Sequence, residues 1–153
     1  MTVASAEYDF VLLDIPNTLD SVGMRALDRS DLIYVISQPI LNYLKALINM
    51  LSIFTELNYS RERIKVVMNK SDIESGLSIE KVADLVGRNI DAEIPYDDIS
   101  VDESINSGVP VVKFSKASSV SMSIEGLCES LLGIKKSPRS ESMLAKILHL
   151  KVG

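Results

Sequence analysis

Short, nearly continuous apolar runs alternate with helical repeats along this chain, and that alternation constrains the fold more than any other feature. The runs are Phe10-Val11-Leu12-Leu13, Leu32-Ile33-Tyr34-Val35-Ile36 and Ile64-Lys65-Val66-Val67-Met68. Each is too short for a helix of ordinary length and lacks the polar alternation of a half-exposed strand. Such runs suit strands covered on both faces. Helical segments between them supply crossovers, which make neighbouring strands parallel and the connections right-handed. The expected architecture is a three-layer α/β/α domain with a mostly parallel sheet.

Residue by residue, a strand is expected over 9–14, a helix over 19–29 and a second strand over 32–37, stopped by Pro39. Leu41, Leu44, Leu47, Ile48, Leu51, Phe54 and Leu57 recur at helical spacing, which predicts a long helix over 40–58. A third strand follows from Ile64 to Met68, then a helix over 78–87 with Ser78 as N-cap and Gly87 as C-cap. Asn89 to Ile94 reads as a shorter strand ended by Pro95, and 99–107 as a helix ended by Gly108. Val109 to Val112 reads as an extended piece and 118–132 as a last long helix. The basic, proline-containing stretch at 134–141 reads as a linker between a domain over 1–133 and an amphipathic helix over 142–153.

Composition narrows the function classes. With 153 residues, 46% of them hydrophobic, the chain has enough apolar material for one domain with a core. Its net charge of −5 argues against nucleic acid, which needs clustered Lys and Arg. One cysteine, Cys128, excludes an internal disulfide and a Cys-based zinc site, and one histidine, His149, near the tail, argues against a His-based catalytic dyad or metal site. That cysteine usage suits a reducing, cytoplasmic setting, with Cys128 as a buried structural residue. The start MTVASAEYD has neither the basic nor the apolar region of a signal peptide, and no apolar run is long enough to span a bilayer.

In wound parallel sheets, ligands sit beyond the carboxyl ends of the strands, where Asp14, Ser37, Asn69 and Pro95 are expected. Asp14 can hold Mg²⁺ through water or orient an attacking water, or it can be a turn aspartate. The amide of Asn69 can donate to and accept from a purine edge, and the stem of Lys70 can cover a base. Asp72 can bond guanine N1 and N2 or simply open a turn. A phosphate cradle is missing. The seven glycines are scattered singly, so no G-x-x-x-x-G-K-[ST] loop exists to wrap phosphates in backbone N–H groups.

The run Y-D-F-V-L-L-D-I-P-N-T-L, then A-L-D-R-S-D-L-I-Y-V-I-S-Q-P, R-I-K-V-V-M-N-K, I-P-Y-D and E-S-I-N-S-G-V-P-V-V, resembles the C-terminal half of MinD/ParA-type P-loop ATPases. Within them it is most similar to the CpaE/TadZ proteins that localise pilus assembly. The resemblance covers about residues 7–132. It implies ATP or ADP with Mg²⁺, Asp14 and Pro16 as a Walker B and switch element, and Asn69 on the adenine side. It implies Pro95 and Asp97 as the loop flanking the base. It also implies a homodimer or a missing N-terminal half as partner, and pilus or secretion assembly proteins, at a cytoplasmic, membrane-associated or polar location. The family's lysine-bearing phosphate loop is missing, so the chain alone is not expected to be an active enzyme. The N-K-S-D at 69–72 is nearer a GTPase base motif, which leaves the base open. Two other readings stand beside this one: a fragment of an active ATPase or GTPase whose P-loop lies upstream, and a nucleotide-free interaction module.

In the related fold the P-loop strand lies between the strands at 9–14 and 32–37. Without it those strands must close up, rearrange, or bind a partner, because an unpaired apolar edge is a liability. In the tail, Met143, Leu144, Ile147 and Leu148 share one face beside Lys146 and Lys151, a pattern for a membrane surface or a protein groove.

Overall fold

The computed structural model describes residues 4–16, 20–73 and 77–133. The linker and the tail helix, with Met143, Leu144, Ile147 and Leu148, lie outside the described residues.

A single turn, α1 (Ala4–Glu7), precedes the apolar run. Asp20 caps α2 (Ser21–Asp28), its carboxylate accepting from the backbone N–H groups of Val22 and Gly23. Strand β1 (Ile33–Ser37) leads to α3 (Leu41–Glu56), whose Leu44, Leu47 and Phe54 form the buried stripe. A 3₁₀ turn at Arg61–Arg63 enters β2 (Ile64–Asn69). The expected caps hold for α4 (Ile79–Val86): Ser78 accepts from Lys81 N, and Gly87 closes the helix in the left-handed region at φ 72°. Beyond it come β3 (Ala92–Ile94), α5 (Asp98–Ser107), α6 (Val111–Phe114) and α7 (Ser119–Leu131).

The sheet is parallel, in the order β1-β2-β3, with Val35 opposite Val66 and Met68 opposite Glu93. On one face, Val66 and Met68 of β2 pack with Leu44 and Leu47 of α3 and Val82 of α4. Val67 points to the other face and is equally buried, and α7 packs against β3. Helices thus cover both faces, as the α/β/α expectation requires. A second cluster joins Leu27, Ile33, Phe54 and Ile64 near the amino ends of the strands.

Four expectations are corrected. The run expected as a strand at 9–14 is not one, and its side chains are exposed: Phe10 by 61% and Leu12 by 91%. A strand needs a hydrogen-bonding neighbour, and the described sheet offers this run none. The strand expected from Asn89 begins only at Ala92. Asp91 takes over the pairing itself: its N–H donates to Val66 O (2.8 Å), and its Oδ2 accepts from Val66 N (2.8 Å). The piece at 109–112 is not extended, because Pro110 starts α6, where a missing N–H costs nothing. Cys128 sits in α7 as expected, though half-buried rather than buried.

Arginines stitch the amino-end side of the sheet. Arg61 Nη2 donates to Gly87 O (2.9 Å) and Arg88 Nη2 to Ile64 O (2.7 Å). Arg63 donates to the carbonyls of Leu27 and Ser30, tying the end of α2 to the start of β2.

Candidate functional site

At the carboxyl ends of β2 and β3 the chain folds back on itself around five of the residues singled out from the sequence. Strand β2 stops at Asn69 because Lys70 turns into the left-handed region at φ 53°. Asn69 Oδ1 accepts from the backbone N–H of Lys70 (3.0 Å), a local bond that favours this conformation. Ser71 N then donates to Ile94 O (3.1 Å), binding the turn to the end of β3. Across the turn, Tyr96 N donates to Asp72 Oδ1 (2.5 Å). Pro95 ends β3, and Asp97 caps α5 by accepting from Ser100 N (2.9 Å). Asn69, Lys70, Asp72, Pro95 and Asp97 therefore form one cluster on two adjacent strand ends.

The sequence reading missed Tyr96. Its ring is 43% exposed, and Lys70 Nζ lies 4.9 Å from the ring centroid, a cation–π contact. The charge of Asp98, followed by burial, a hydrogen bond to Asp98 and the charge of Asp102, holds the Tyr96 phenol above its ordinary pKa of 10.0. An aromatic residue between a strand-ending proline and a helix-capping aspartate was the available signal.

The cluster can do part of what a nucleotide site does. Asn69 Oδ1 holds the turn, and its NH₂ group remains as a donor towards a ring nitrogen or carbonyl. Tyr96 and the stem of Lys70 offer a flat, partly apolar surface. The phosphate side has no counterpart among the described residues. Gly87, Gly108 and Gly133 take positive φ beside helix ends, and a Cβ on any of them would meet nothing within 4 Å. They end helices rather than cradle a ligand. No group of three or more His, Cys, Asp or Glu among the described residues is placed to hold a metal. Asp14 and Pro16 stand on the exposed segment after Leu13, not at a strand end. Among the described residues, the groups gathered at the carboxyl ends of β2 and β3 offer donors and a flat surface but no glycine-rich cradle and no cluster of metal ligands.

A polar hollow of about 500 Å³, lined by Arg61, Glu62, Gly87, Arg88, Asn89 and Asp91, lies at the opposite end of the sheet. It belongs to the arginine stitching. No described helix is long and apolar enough to cross a membrane.

Among solved structures, the ParA family ATPase from Chlorobium tepidum TLS superposes with a TM-score of 0.77 at 27% identity, over 82% of this chain and 52% of that one. The fold is that of the MinD/ParA ATPases. MinD in the MinC:MinD cell division protein complex of Aquifex aeolicus matches with a TM-score of 0.72 at 21% identity, over 92% of this chain and 58% of that chain. The septum site-determining protein MinD from Pyrococcus horikoshii OT3, complexed with Mg-ADP, matches at 0.71 and 23% identity, over 89% of this chain and 56% of that one. No family model and no curated protein matches the sequence. The chain spans little more than half the length of the structures it resembles.

Proposed function

We propose that this chain is a partial MinD/ParA-type nucleotide-binding domain that keeps the base side of the site and serves the spatial positioning of a pilus or secretion machine, in the manner of CpaE/TadZ proteins. The observation that carries the nucleotide reading is the Asn69–Asp72 turn locked against Tyr96 at the carboxyl ends of β2 and β3. A relative of the same fold is complexed with Mg-ADP, which supports an adenine nucleotide as the ligand class.

Asp72 leaves the base open: Oδ1 accepts from Tyr96 N, and the carboxylate keeps Oδ2 and a further lone pair to accept from guanine N1–H and N2–H or from the adenine amino group. The NH₂ of Asn69 can donate to a ring nitrogen or carbonyl of either purine. The positioning role and the pilus partners rest on the resemblance of the quoted segments to CpaE/TadZ proteins. Dimerisation and peripheral membrane contact, through Met143, Leu144, Ile147 and Leu148, belong to the same proposal. Asp14, with Pro16 behind it, is assigned to Mg²⁺ through water in a domain that has its phosphate half.

Titration of the full chain with ATP and with GTP, followed by amide chemical shifts and calorimetry, tests the site. ATP should shift Asn69, Lys70 and Tyr96, with a Kd near about 1 mM, equivalent to roughly −4 kcal/mol, because phosphate contacts are missing. GTP should shift them less. Mg²⁺-dependent binding in the low micromolar range, or no response at these residues, would refute the reading.

A further inference from the structure

We infer that the groove between the C-terminal ends of α3 and α4 is a second ligand site, which takes a small amphipathic carboxylate: an apolar body bearing one negative charge. The site stands apart from the nucleotide reading, because it lies where β2 begins, at Ile64, away from Asn69 and Tyr96.

Local backbone geometry keeps the groove open. Asn58 takes the left-handed region at φ 60° just past α3, and Gly87 takes it at φ 72° just past α4. Each turn carries the chain off towards a strand, and a wedge is left between the two helix ends. The groove has a volume of about 600 Å³. That size lies within the roughly 300–1,000 Å³ of small-molecule sites. Ile48 and Leu51 of α3, Ile64 of β2 and Val86 of α4 give it apolar walls, and Arg61 and Arg88 stand at its sheet end. Ile48 is 39% exposed there, apolar surface that an apolar ligand would take out of water.

The charges in the groove are unbalanced. Among the described residues no carboxylate lines it, and Glu62 and Asp91 face the adjoining hollow. Arg61 Nη2 donates to Gly87 O (2.9 Å), and Arg61 forms no ion pair among the described residues. That bond sets its guanidinium beside the peptide that joins Gly87 to Arg88. Two like charges are thus neighbours, on a chain whose net charge is −5.

Arg88 is also short of an acceptor. Its Nη2 donates to Ile64 O (2.7 Å) and reaches Asp91 at 3.5 Å, while its Nε is buried with no hydrogen-bond partner among the described residues. Buried polar atoms are nearly always paired. A carboxylate seated against the two guanidiniums brings acceptor oxygens in the planar, two-toothed geometry that arginine recognises. The C-terminal ends of α3 and α4 carry partial negative charge, and Glu62 and Asp91 are close by. They limit the site to one added negative charge, which suits a carboxylate better than a phosphate.

The probe is decanoate, with decyltrimethylammonium as the same chain under the opposite charge. Each is kept below its micelle-forming concentration and titrated into the full 153-residue chain. With decanoate, amide chemical shifts should move saturably at Ile48, Leu51, Thr55, Arg61 and Arg88 and stay still at Asn69 and Tyr96. Decyltrimethylammonium should leave all of them in place. Arg61→Gln keeps a donor for Gly87 O and should weaken decanoate binding roughly tenfold, as loss of a charge-assisted bond does. Ile48→Glu, at a part-exposed position, puts a like charge in the groove and should abolish binding. Exchange of the β2 amides, unchanged in both variants, shows that the fold is kept. The inference falls if the shifts grow without saturating, if they centre on the exposed run at 10–13, or if the ammonium probe binds as well as decanoate. It falls equally if both variants bind decanoate as the unaltered chain does.

Discussion

Strand β2 and the run at 10–13 are built from the same kind of residue and end in opposite states. Val66, Val67 and Met68 are shut away from solvent, whereas Leu12 is 91% exposed. β2 has a strand on each side, helix α3 with α4 on one face, and a covered opposite face. Among the described residues, no strand pairs with the run. Apolar side chains drive burial, but they cannot carry unpaired backbone groups into the interior with them. Hydrogen-bonding neighbours decide which apolar run becomes core.

The largest effect that separates the two regions is cavity formation. Leu44→Ala, beneath β2, should cost about 2–5 kcal/mol, because Leu44 is 1% exposed and packs against Val66 and Met68. Leu12→Ala should stay within about 0.5 kcal/mol, as substitutions at exposed positions do. Urea unfolding of both variants measures the contrast, and equal losses would mean that the run is packed after all.

Next in size is Asp91→Ala. It removes the acceptor for Val66 N and the partner of Lys65 (3.4 Å) and Arg88 (3.5 Å). A stranded part-buried N–H costs about 1–3 kcal/mol. Asp91→Asn, which keeps an acceptor oxygen, should recover much of the loss in the same unfolding assay.

Lys70→Gly sharpens the comparison at the site. Glycine accepts φ 53° without steric cost, so stability should be held or raised by up to about 1 kcal/mol. The same change deletes the stem and ammonium over Tyr96 and should weaken any ATP-induced shifts at Asn69. A stability loss would show that the side chain, not the backbone turn, holds this end together.

The smallest effect concerns alkaline pH. Burial first, then the hydrogen bond from its phenol to Asp28 and the charge of Asp28, raise Tyr59 above 10.0, while Arg63 pulls the other way. The folded pKa exceeds the unfolded one, so this contribution is whole below pH 10 and fades as pH climbs through the raised value. Tyr59→Phe should lower stability most at neutral pH, where the contribution is whole, and progressively less above pH 10, so the alkaline fall flattens when urea unfolding is followed across pH.

Most of the architecture was legible because local signals agreed with one another. The leucine spacing at Leu44, Leu47 and Phe54, the cap pair Ser78 and Gly87, and the stop at Gly108 each fix an element from neighbouring residues alone. That Asn69, Lys70 and Asp72 stand together at a strand end was legible for the same reason, since they fall within four consecutive residues. The status of the run at 10–13 was not, because whether an apolar run becomes a strand depends on a hydrogen-bonding neighbour that local sequence does not reveal. Tyr96 escaped because its value lies in a contact with Lys70, from a different strand end. Asp91 escaped because a carboxylate can replace a backbone partner only once the register of β2 and β3 is set.

The guanidinium stitching has a mechanical consequence. Arg61, Arg63 and Arg88 fasten α2, β2 and the turn after α4 by side chains at the amino-end side of the sheet. At the other end, β2 and β3 are joined by backbone bonds and one carboxylate. The two ends are therefore held by different means. Guanidinium groups reaching between elements tie the amino end, while a turn folded onto its neighbouring strand ties the carboxyl end. The residues placed to meet a ligand thus owe their positions to main-chain geometry rather than to ion pairs.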